Sequence, residues 1–129
     1  MSGSEIITAA VLVIGDEILS GRTKDRNSGA IAEHLTGIGI ALKEVRVVGD
    51  EAAEIVAAVN ALRARYTYVF TTGGIGPTHD DITADSIGAA FGVPVEIDPR
   101  AVALMKPAYE ARGIELTPAR LRMARVPAG

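Results

Sequence analysis

The stretch from Tyr68 to Thr83, which reads YVFTTGGIGPTHDDIT, carries the residue types best suited to chemistry. An apolar run leads into a turn with three glycines, and two adjacent carboxylates, Asp80 and Asp81, follow the turn. Backbone N–H groups of a glycine turn approach a ligand closely because no Cβ stands in the way, and successive N–H groups form a concavity that binds anions. Carboxylate oxygens suit a hard cation such as Mg²⁺, which substrate phosphates also hold. The stretch therefore predicts a site for a small phosphorylated ligand and a divalent cation.

Each residue of this stretch also has a purely structural interpretation. The glycines could serve only to let the chain turn tightly, and one of the two aspartates could cap the helix that begins nearby. The threonines could satisfy the turn instead of a phosphate, and His79 is expected to be exposed, with an acid–base role as the alternative. We predict that Asp80 and Asp81 hold the metal and that seven turn residues bind the ligand: Thr72, Gly73, Gly74, Ile75, Gly76, Pro77 and Thr78.

Two further loops carry acids beside glycines. Asp16 and Glu17 follow the first apolar run, and Asp50 follows the second. Open α/β sheets bind ligands beyond the carboxyl ends of their strands, so these acids are expected to wall the same site as the glycine turn. The alternative for Asp16 and Glu17 is that they are ordinary loop acids. The alternative for Asp50 is a helix N-cap, since it stands where a cap belongs.

The strands that must hold these loops are read from apolar runs. Residues 6–14 are apolar without alternation, which predicts a central strand covered on both faces. Residues 40–48 alternate in part and predict a strand nearer the sheet edge. Residues 68–70 predict a short buried strand before the glycine turn. Residues 93–97 predict a brief edge strand or an extended link, and residues 126–127 resemble the start of another strand.

Five helices are predicted from their N-terminal signals, which are, in chain order, Asp25 or Asn27, Asp50, Thr83, Asp98 with Pro99, and Thr117 with Pro118. The second has the clearest helical spacing of apolar residues. The fourth contains Pro107, which is expected to kink it or to shift its start. Strands and helices thus alternate in units of about thirty residues, which predicts an α/β fold with three α/β/α layers around a mainly parallel sheet.

The composition fits a single domain over residues 1–129, of which residues 1–5 are expected to be a loose end. Apolar residues make up 48% and charged residues 22%, values near the globular average that argue against a disordered or fibrous protein. The net charge of −3 gives no basic footprint for nucleic acid. The absence of cysteine excludes disulfides and is compatible with a reducing cytosol, so we predict a cytoplasmic protein. The N-terminal apolar run lacks a basic flank, so neither a signal peptide nor a membrane span is expected.

Three motifs taken together resemble a known family: GDEIL-x-G from Gly15, VGD up to Asp50, and TGGIGPT-x-DD-x-T from Thr72. The chain is identified as a member of the molybdopterin-binding domain family of molybdenum cofactor biosynthesis. It is most similar to the CinA amino-terminal branch and to the molybdopterin-binding-like domain of eukaryotic FAD synthases. The resemblance covers nearly the whole chain and implies a three-layer α/β fold that assembles as a dimer or trimer. It also implies a domain truncated at its C-terminal edge, before the family's last strand and closing loop.

The resemblance implies a phosphorylated ligand at the glycine turn and leaves its identity open. In the molybdenum cofactor enzymes the ligand is molybdopterin, which is adenylylated with ATP and Mg²⁺ by acids that match Asp50 and Asp81 here. In the CinA-like branch the implied activity is metal-dependent cleavage of a nucleotide pyrophosphate, such as ADP-ribose or FAD. We expect this second activity, with Asp50 and Asp81 as the catalytic acids. A binding module without turnover is the remaining alternative.

Overall fold

The computed structural model describes residues 6–129, so the loose end predicted for residues 1–5 lies outside the described residues. The strands are Thr8–Ile14 (β1), Ala41–Val48 (β2), Tyr68–Thr72 (β3), Val95–Ile97 (β4) and Arg125–Pro127 (β5). The helices are Asp16–Leu19 (α1), Asn27–Gly37 (α2), Ala52–Arg63 (α3), Thr83–Phe91 (α4), Pro99–Ala111 (α5) and Pro118–Leu121 (α6), and a 3₁₀ turn spans Arg122–Ala124. Three strands form a parallel sheet in the order β2-β1-β3, while β4 and β5 form an antiparallel ribbon. The fold is mixed α/β around a parallel sheet, which confirms the predicted class.

Strand β1 is the centre of the sheet, as its unbroken apolar sequence predicts. Residues 9–14 are at most 3% exposed, whereas β2 is partly exposed along its length. Ile14 at the end of β1 lies opposite Val48 at the end of β2, and Val13 lies opposite Thr72 at the end of β3. Because both pairings are parallel, the three strands end at one edge of the sheet. The glycine turn and both acidic loops therefore leave the sheet at that edge.

Helix α3 covers one face of the sheet. Ile55, Val59 and Leu62 are buried in one cluster with Leu12 and Ile14 of β1. Residues four and seven positions apart lie on one helix face, so the apolar spacing of α3 places these side chains against the sheet. Helix α4 packs on α3, and α2 packs beside β2. These contacts fix the start of α4 close to the end of β3, with the glycine turn between them.

The prediction that β3 is a buried strand is wrong, because β3 is an edge strand whose residues are partly exposed. Tyr68 is 49% exposed, and Val69 and Phe70 are only partly buried. β3 is the last strand in the order β2-β1-β3, and within residues 6–129 no strand pairs with its outer edge. A cleft of about 480 Å³ lies beside it, lined in part by Val59 and Phe91. An apolar run predicts a strand, but it does not reveal whether both edges of that strand find a partner.

The C-terminal third folds around the β4–β5 ribbon. Residues 125–127 complete a strand, where the sequence indicated only the start of one, because β4 is available as an antiparallel partner. Arg125 of β5 donates to Asp85 of α4 through Nη2 to Oδ1 at 2.7 Å and Nη1 to Oδ2 at 3.2 Å. Helix α5 begins at Pro99 with Asp98 as its N-cap, as predicted, and it contains Pro107 without a shifted start. The ribbon is thus tied to the helix that follows the glycine turn.

Two local predictions need adjustment. The segment after β1, expected to be a loop, contains the short helix α1. Arg26 stands at the N-cap of α2 in place of Asp25 or Asn27, while Asp25, one position earlier, accepts hydrogen bonds from the backbone N–H groups of Asn27 and Ser28. In the part of the chain that the structure describes, no helix has the length and apolar character needed to cross a membrane.

Candidate functional site

The glycine turn requires glycine at its first two positions. Gly73 and Gly74 have φ angles of 89° and 65°, in the left-handed region that side chains disfavour. A Cβ on Gly73 would collide with the carbonyl oxygen of Ile14, and a Cβ on Gly74 would collide with Thr83 Oγ1. The turn therefore packs tightly against the end of β1, and its glycines have a structural role whether or not they also bind a phosphate.

Thr83 fastens the far side of the turn. Its hydroxyl donates to the carbonyl of Gly73 at 2.8 Å, and its N–H donates to the carbonyl of Gly74 at 3.1 Å. The prediction that Thr83 caps α4 is wrong, since Thr83 is the first residue of the helix and Ile82 stands at the N-cap. With two carbonyls engaged by a residue that is 2% exposed, the turn is held in one conformation.

Asp81 braces the turn from within. Its Oδ2 accepts hydrogen bonds from the backbone N–H of Thr78 at 3.0 Å and from the Thr78 hydroxyl at 2.8 Å. The backbone N–H of Thr78 is the main cause that lowers the pKa of Asp81, opposed by desolvation and reinforced by the Thr78 hydroxyl. Asp81 makes no cap bond to α4. It is therefore an ionised carboxylate in a fixed position.

Asp80 differs from its neighbour in almost every respect. Its side chain is 85% exposed, and Oδ1 lies 3.3 Å from Nε2 of His79, which is 89% exposed. His79 is thus on the surface, where the sequence places it. Pairs between two highly exposed side chains add little to stability, so both side chains are free to reorient toward a ligand.

The two other acidic loops are joined to each other. The backbone N–H of Asp16 donates to Asp50 Oδ2 at 3.0 Å, and the backbone N–H of Asp50 donates to Asp16 Oδ1 at 3.2 Å. The alternative that Asp50 caps α3 is wrong, because Glu51 stands at the N-cap and no side chain caps that helix. Each aspartate uses one carboxylate oxygen in this exchange. The pair holds the ends of β1 and β2 together beside the glycine turn.

All three loops border one cavity of about 480 Å³. Its lining residues are Asp16, Glu17, Asp50, Gly74, His79, Asp80, Asp81 and Ile82. Five carboxylates face this space, and the glycine turn contributes its backbone through Gly74. The sequence predicted this convergence from the shared sheet edge, although the roles of the individual residues stay predictions.

The remaining predicted ligand residues build the turn rather than the acidic wall. Thr72 ends β3, and Gly73, Pro77 and Thr78 shape the loop without lining the acidic cavity. Ile75 and Gly76 line a second cavity of about 60 Å³ on the other side of the turn. We call this second space the rear cavity; its lining is Gly74, Ile75, Gly76, Asp81, Ala84, Arg122, Met123 and Arg125.

The rear cavity contains two residues that sequence reasoning missed. Arg122 and Arg125 come from the 3₁₀ turn and β5, far along the chain from the glycine turn. Neither belongs to a motif with recognisable spacing, and only the folding of the ribbon against α4 brings them to the site. The one sequence signal was their positive charge, which a surface arginine would show equally.

The residues fit a divalent cation of a particular kind. Carboxylate oxygens are the ligands that Mg²⁺ prefers, and Mg²⁺ is commonly held by one or two carboxylates together with phosphate oxygens. Among residues 6–129 no group of three or more His, Cys, Asp or Glu side chains is arranged to hold a metal by itself. A cation held by Asp81 and Asp80 would therefore need further oxygen ligands, such as those of a phosphorylated ligand.

Comparison with known proteins gives a consistent result. A protein-family model described as "Probable molybdopterin binding domain" matches residues 10–124. A CinA-like protein of Myxococcus xanthus is 37% identical over 119 residues, which are 92% of this chain and 28% of that protein. A probable FAD synthase of Caenorhabditis briggsae is 49% identical over 84 residues, 65% of this chain and 16% of that protein. This chain spans about half the length, or less, of the curated relatives it matches.

A solved structure extends the likeness to three dimensions. The protein CinA from Thermoplasma acidophilum matches with a TM-score of 0.81 and 37% sequence identity. The match covers 96% of this chain and 72% of that one. The likeness of the backbone therefore extends over nearly the whole chain.

Proposed function

The chain belongs to the molybdopterin-binding domain family, in its CinA-like branch, and on this premise we propose that it is a divalent-metal-dependent nucleotide pyrophosphatase. Its substrate is a nucleotide pyrophosphate such as ADP-ribose or FAD, bound at the turn from Gly73 to Asp81. The observation that carries the proposal is the acidic cavity, in which acids from three loops meet the glycine turn.

The charge of the cavity explains why a cation is part of the proposal. Five carboxylates around one space would repel a diphosphate, since like charges at close range raise the free energy of the bound state. A cation held between Asp81, Asp80 and the phosphate oxygens would reverse that repulsion. The backbone N–H groups of Gly74 and Ile75 would then hold the remaining phosphate oxygens without any charged side chain, since Pro77 has no N–H and the N–H groups of Gly76 and Thr78 already serve Asp81.

The chemical step is hydrolysis of the phosphoanhydride. A water oxygen forms a bond to one phosphorus atom, the bridging P–O bond breaks, and the bridging oxygen leaves with the other phosphate. The water proton passes to solvent, and the products are two phosphomonoesters: AMP and ribose 5-phosphate from ADP-ribose, or AMP and FMN from FAD. A bound divalent cation supplies stabilisation of the charge that develops on the phosphate oxygens. The fixed, ionised Asp81 and the joined pair of Asp16 and Asp50 supply preorganised acids for that arrangement.

The relative named as a probable FAD synthase supports a dinucleotide ligand, because FAD is a dinucleotide and the likeness reaches 49% identity over 84 residues. The family description supports the second candidate, a molybdopterin adenylyltransferase that uses ATP. The two candidates make different products. The second requires both molybdopterin and ATP, and the first requires only a nucleotide and a metal.

The experiment is an assay of AMP release from ADP-ribose and FAD by the purified chain with Mg²⁺, Mn²⁺ or Co²⁺. We expect release with at least one metal, and we expect Asp81→Asn to lower it by about a hundredfold or more, because even the partners of metal ligands are worth about 10–100-fold. Glu33→Gln, an exposed acid on α2, is the matched control and should leave the rate unchanged.

Two results would contradict the proposal. No AMP from either substrate with any metal would exclude it, and adenylylated molybdopterin formed from molybdopterin and ATP would then establish the second candidate. Nucleotide binding without turnover, unchanged by Asp81→Asn, would instead indicate a binding module.

The assembly into a dimer or trimer also stays a prediction, which sedimentation of the same sample would measure.

A further inference from the structure

Arg122 is a half-buried arginine whose Nε donor is not used by the fold, while its charge helps to lower the pKa of Asp81 across the cavity. Its Nε is sealed from solvent, and within residues 6–129 that atom has no hydrogen-bond partner. Among the same residues no carboxylate lies within 4.0 Å of the Arg122 guanidinium. A buried N–H without a partner costs stability, and native proteins rarely leave one in place without a reason.

The neighbouring arginine provides a contrast. Arg125 lines the same rear cavity, but its guanidinium makes the bidentate pair with Asp85 and so contributes to the fold. Arg122 lies three positions earlier, in the 3₁₀ turn that leads into β5, and lines the rear cavity together with the glycine turn. The fold therefore places one arginine to fasten the ribbon and presents the other to the site.

The rear cavity suits a small anionic group. At about 60 Å³ it has room for about two waters, which is also room for one or two oxygens of a phosphate. The first turn of α4, through Ala84, forms another part of its wall, and the N-terminal end of a helix attracts negative charge. Asp81 is the one acid in the lining, and its Oδ2 is already occupied by Thr78.

The two cavities share the same partition. Gly74 and Asp81 line both the acidic cavity and the rear cavity, so a phosphate seated at this turn borders both spaces. We propose that Arg122 is a phosphate-binding residue, whose guanidinium donates to an oxygen of the bound phosphate from the rear cavity. The proposal rests on the proposed site at the glycine turn but not on hydrolysis there. The phosphate would then be bound from two sides, by a cation in the acidic cavity and by Arg122 in the rear cavity.

Arginine is suited to this position for a chemical reason. Its planar guanidinium presents several donors in a fixed fork that matches phosphate oxygens, and it stays charged when buried. Lysine would keep the charge but lose the Nε donor that lies unpaired here. Arg122→Gln therefore removes the charge, whereas Arg122→Lys keeps the charge and removes only the planar set of donors.

The test is calorimetric titration of the full chain with ADP-ribose and with inorganic pyrophosphate, in the presence of Mg²⁺. We expect Arg122→Gln to weaken binding of both probes by about 10–100-fold, the range for a charge-assisted hydrogen bond, and Arg122→Lys to weaken it by less. Arg112→Gln, an exposed arginine at the end of α5, is the matched control and should bind like the parent.

A second measurement separates binding from folding. If Arg122 only supports the fold, Arg122→Gln will lower the thermal midpoint, while pyrophosphate will still raise that midpoint as much as in the parent. If Arg122 binds phosphate, the rise caused by pyrophosphate will shrink or vanish in the variant. An unchanged rise together with an unchanged Kd overturns the proposal, and so does a parent chain that binds neither probe. Binding without AMP release would contradict only the proposed hydrolysis.

Discussion

At the level of single residues, Asp81 accepts two hydrogen bonds from Thr78, and both favour an ionised carboxylate. This lowers the pKa of Asp81 below its ordinary value of 3.8. The sign of the pH effect follows: the stabilisation is present above pH 3.8 and is lost as the pH falls through the lower pKa of the folded state. The turn should therefore keep its shape throughout neutral and mildly acidic solution.

We expect the carboxyl ¹³C resonance of Asp81 to titrate with a midpoint below 3.8 in an NMR pH titration. Thr78→Val removes one donor and keeps the backbone N–H, so it should raise that midpoint part of the way toward 3.8. Thr36→Val, at an exposed position near the end of α2, should leave it unchanged. A midpoint at or above 3.8 in the parent would show that Thr78 does not hold the carboxylate.

The residues of the site were predictable where their chemistry is local. The glycines of the turn were recognisable because three glycines within four positions follow an apolar run, a pattern that indicates a tight turn. Asp50 was ambiguous, since its position fits a helix cap, and the partner it actually has, Asp16, lies 34 positions away. Arg122 was not predictable, because its role depends on the ribbon folding back against α4.

At the level of elements, two helical glycines differ in whether their surroundings leave room for a side chain. Gly88 in α4 lies against β4: a Cβ there would collide with Val95 Cγ2 and approach the carbonyl oxygen of Val93 to 3.0 Å. Gly29 in α2 has nothing within 4 Å of the same position. Close approach of the ribbon to α4 thus requires glycine at position 88, whereas position 29 has no such requirement.

We expect Gly88→Ala to lower the free energy of unfolding by about 1–3 kcal/mol, because overpacking outweighs the gain in helix propensity. Gly29→Ala should raise it by about 0.5–1 kcal/mol, since alanine loses less backbone entropy and meets no neighbour. Urea unfolding followed by circular dichroism measures both. Stabilisation by both substitutions would mean that the ribbon does not approach α4 as closely as described.

Elements with strong internal signals were predicted well, and elements that depend on distant partners were not. β1 and α3 follow from an unbroken apolar run and from helical spacing. The exposed side of β3 and the pairing of β4 with β5 depend on which edges meet in space, which a short apolar run does not encode. Pro107 was expected to disturb α5, yet the helix has no buried residue, so its surface position accommodates the lost hydrogen bond.

At the level of the whole molecule, the Arg125–Asp85 pair links the ribbon to the body that carries the sheet. The Arg125 side chain is 24% exposed, and its pairing is bidentate, which favours the upper part of the range of about 0.2–1 kcal/mol measured for such pairs. The pair joins residues 40 positions apart. Its loss should therefore loosen the ribbon locally before it affects β1.

We expect Arg125→Ala to accelerate amide hydrogen exchange in β4 and β5 by up to about fivefold, the equivalent of about 1 kcal/mol, with little change at Leu12 in β1. Arg100→Ala is the matched control, since Arg100 also pairs with an aspartate, Asp98, but is 90% exposed and pairs within its own segment. Equal acceleration at Leu12 and in the ribbon would indicate that the molecule opens only as one unit.

The central position of β1 has a consequence for synthesis. β1 is the most buried strand and is made before either of its partners, and its partner β3 lies 59 positions further along the chain. At about 5–20 residues per second, the ribosome needs about 3–12 s to supply that partner. During this time a seven-residue apolar strand can pair on one side at most, with β2. The unpaired edge of β1 is thus most open to misassociation before β3 has been synthesised. Because the glycine turn follows β3 directly, the site is completed just after that edge is covered.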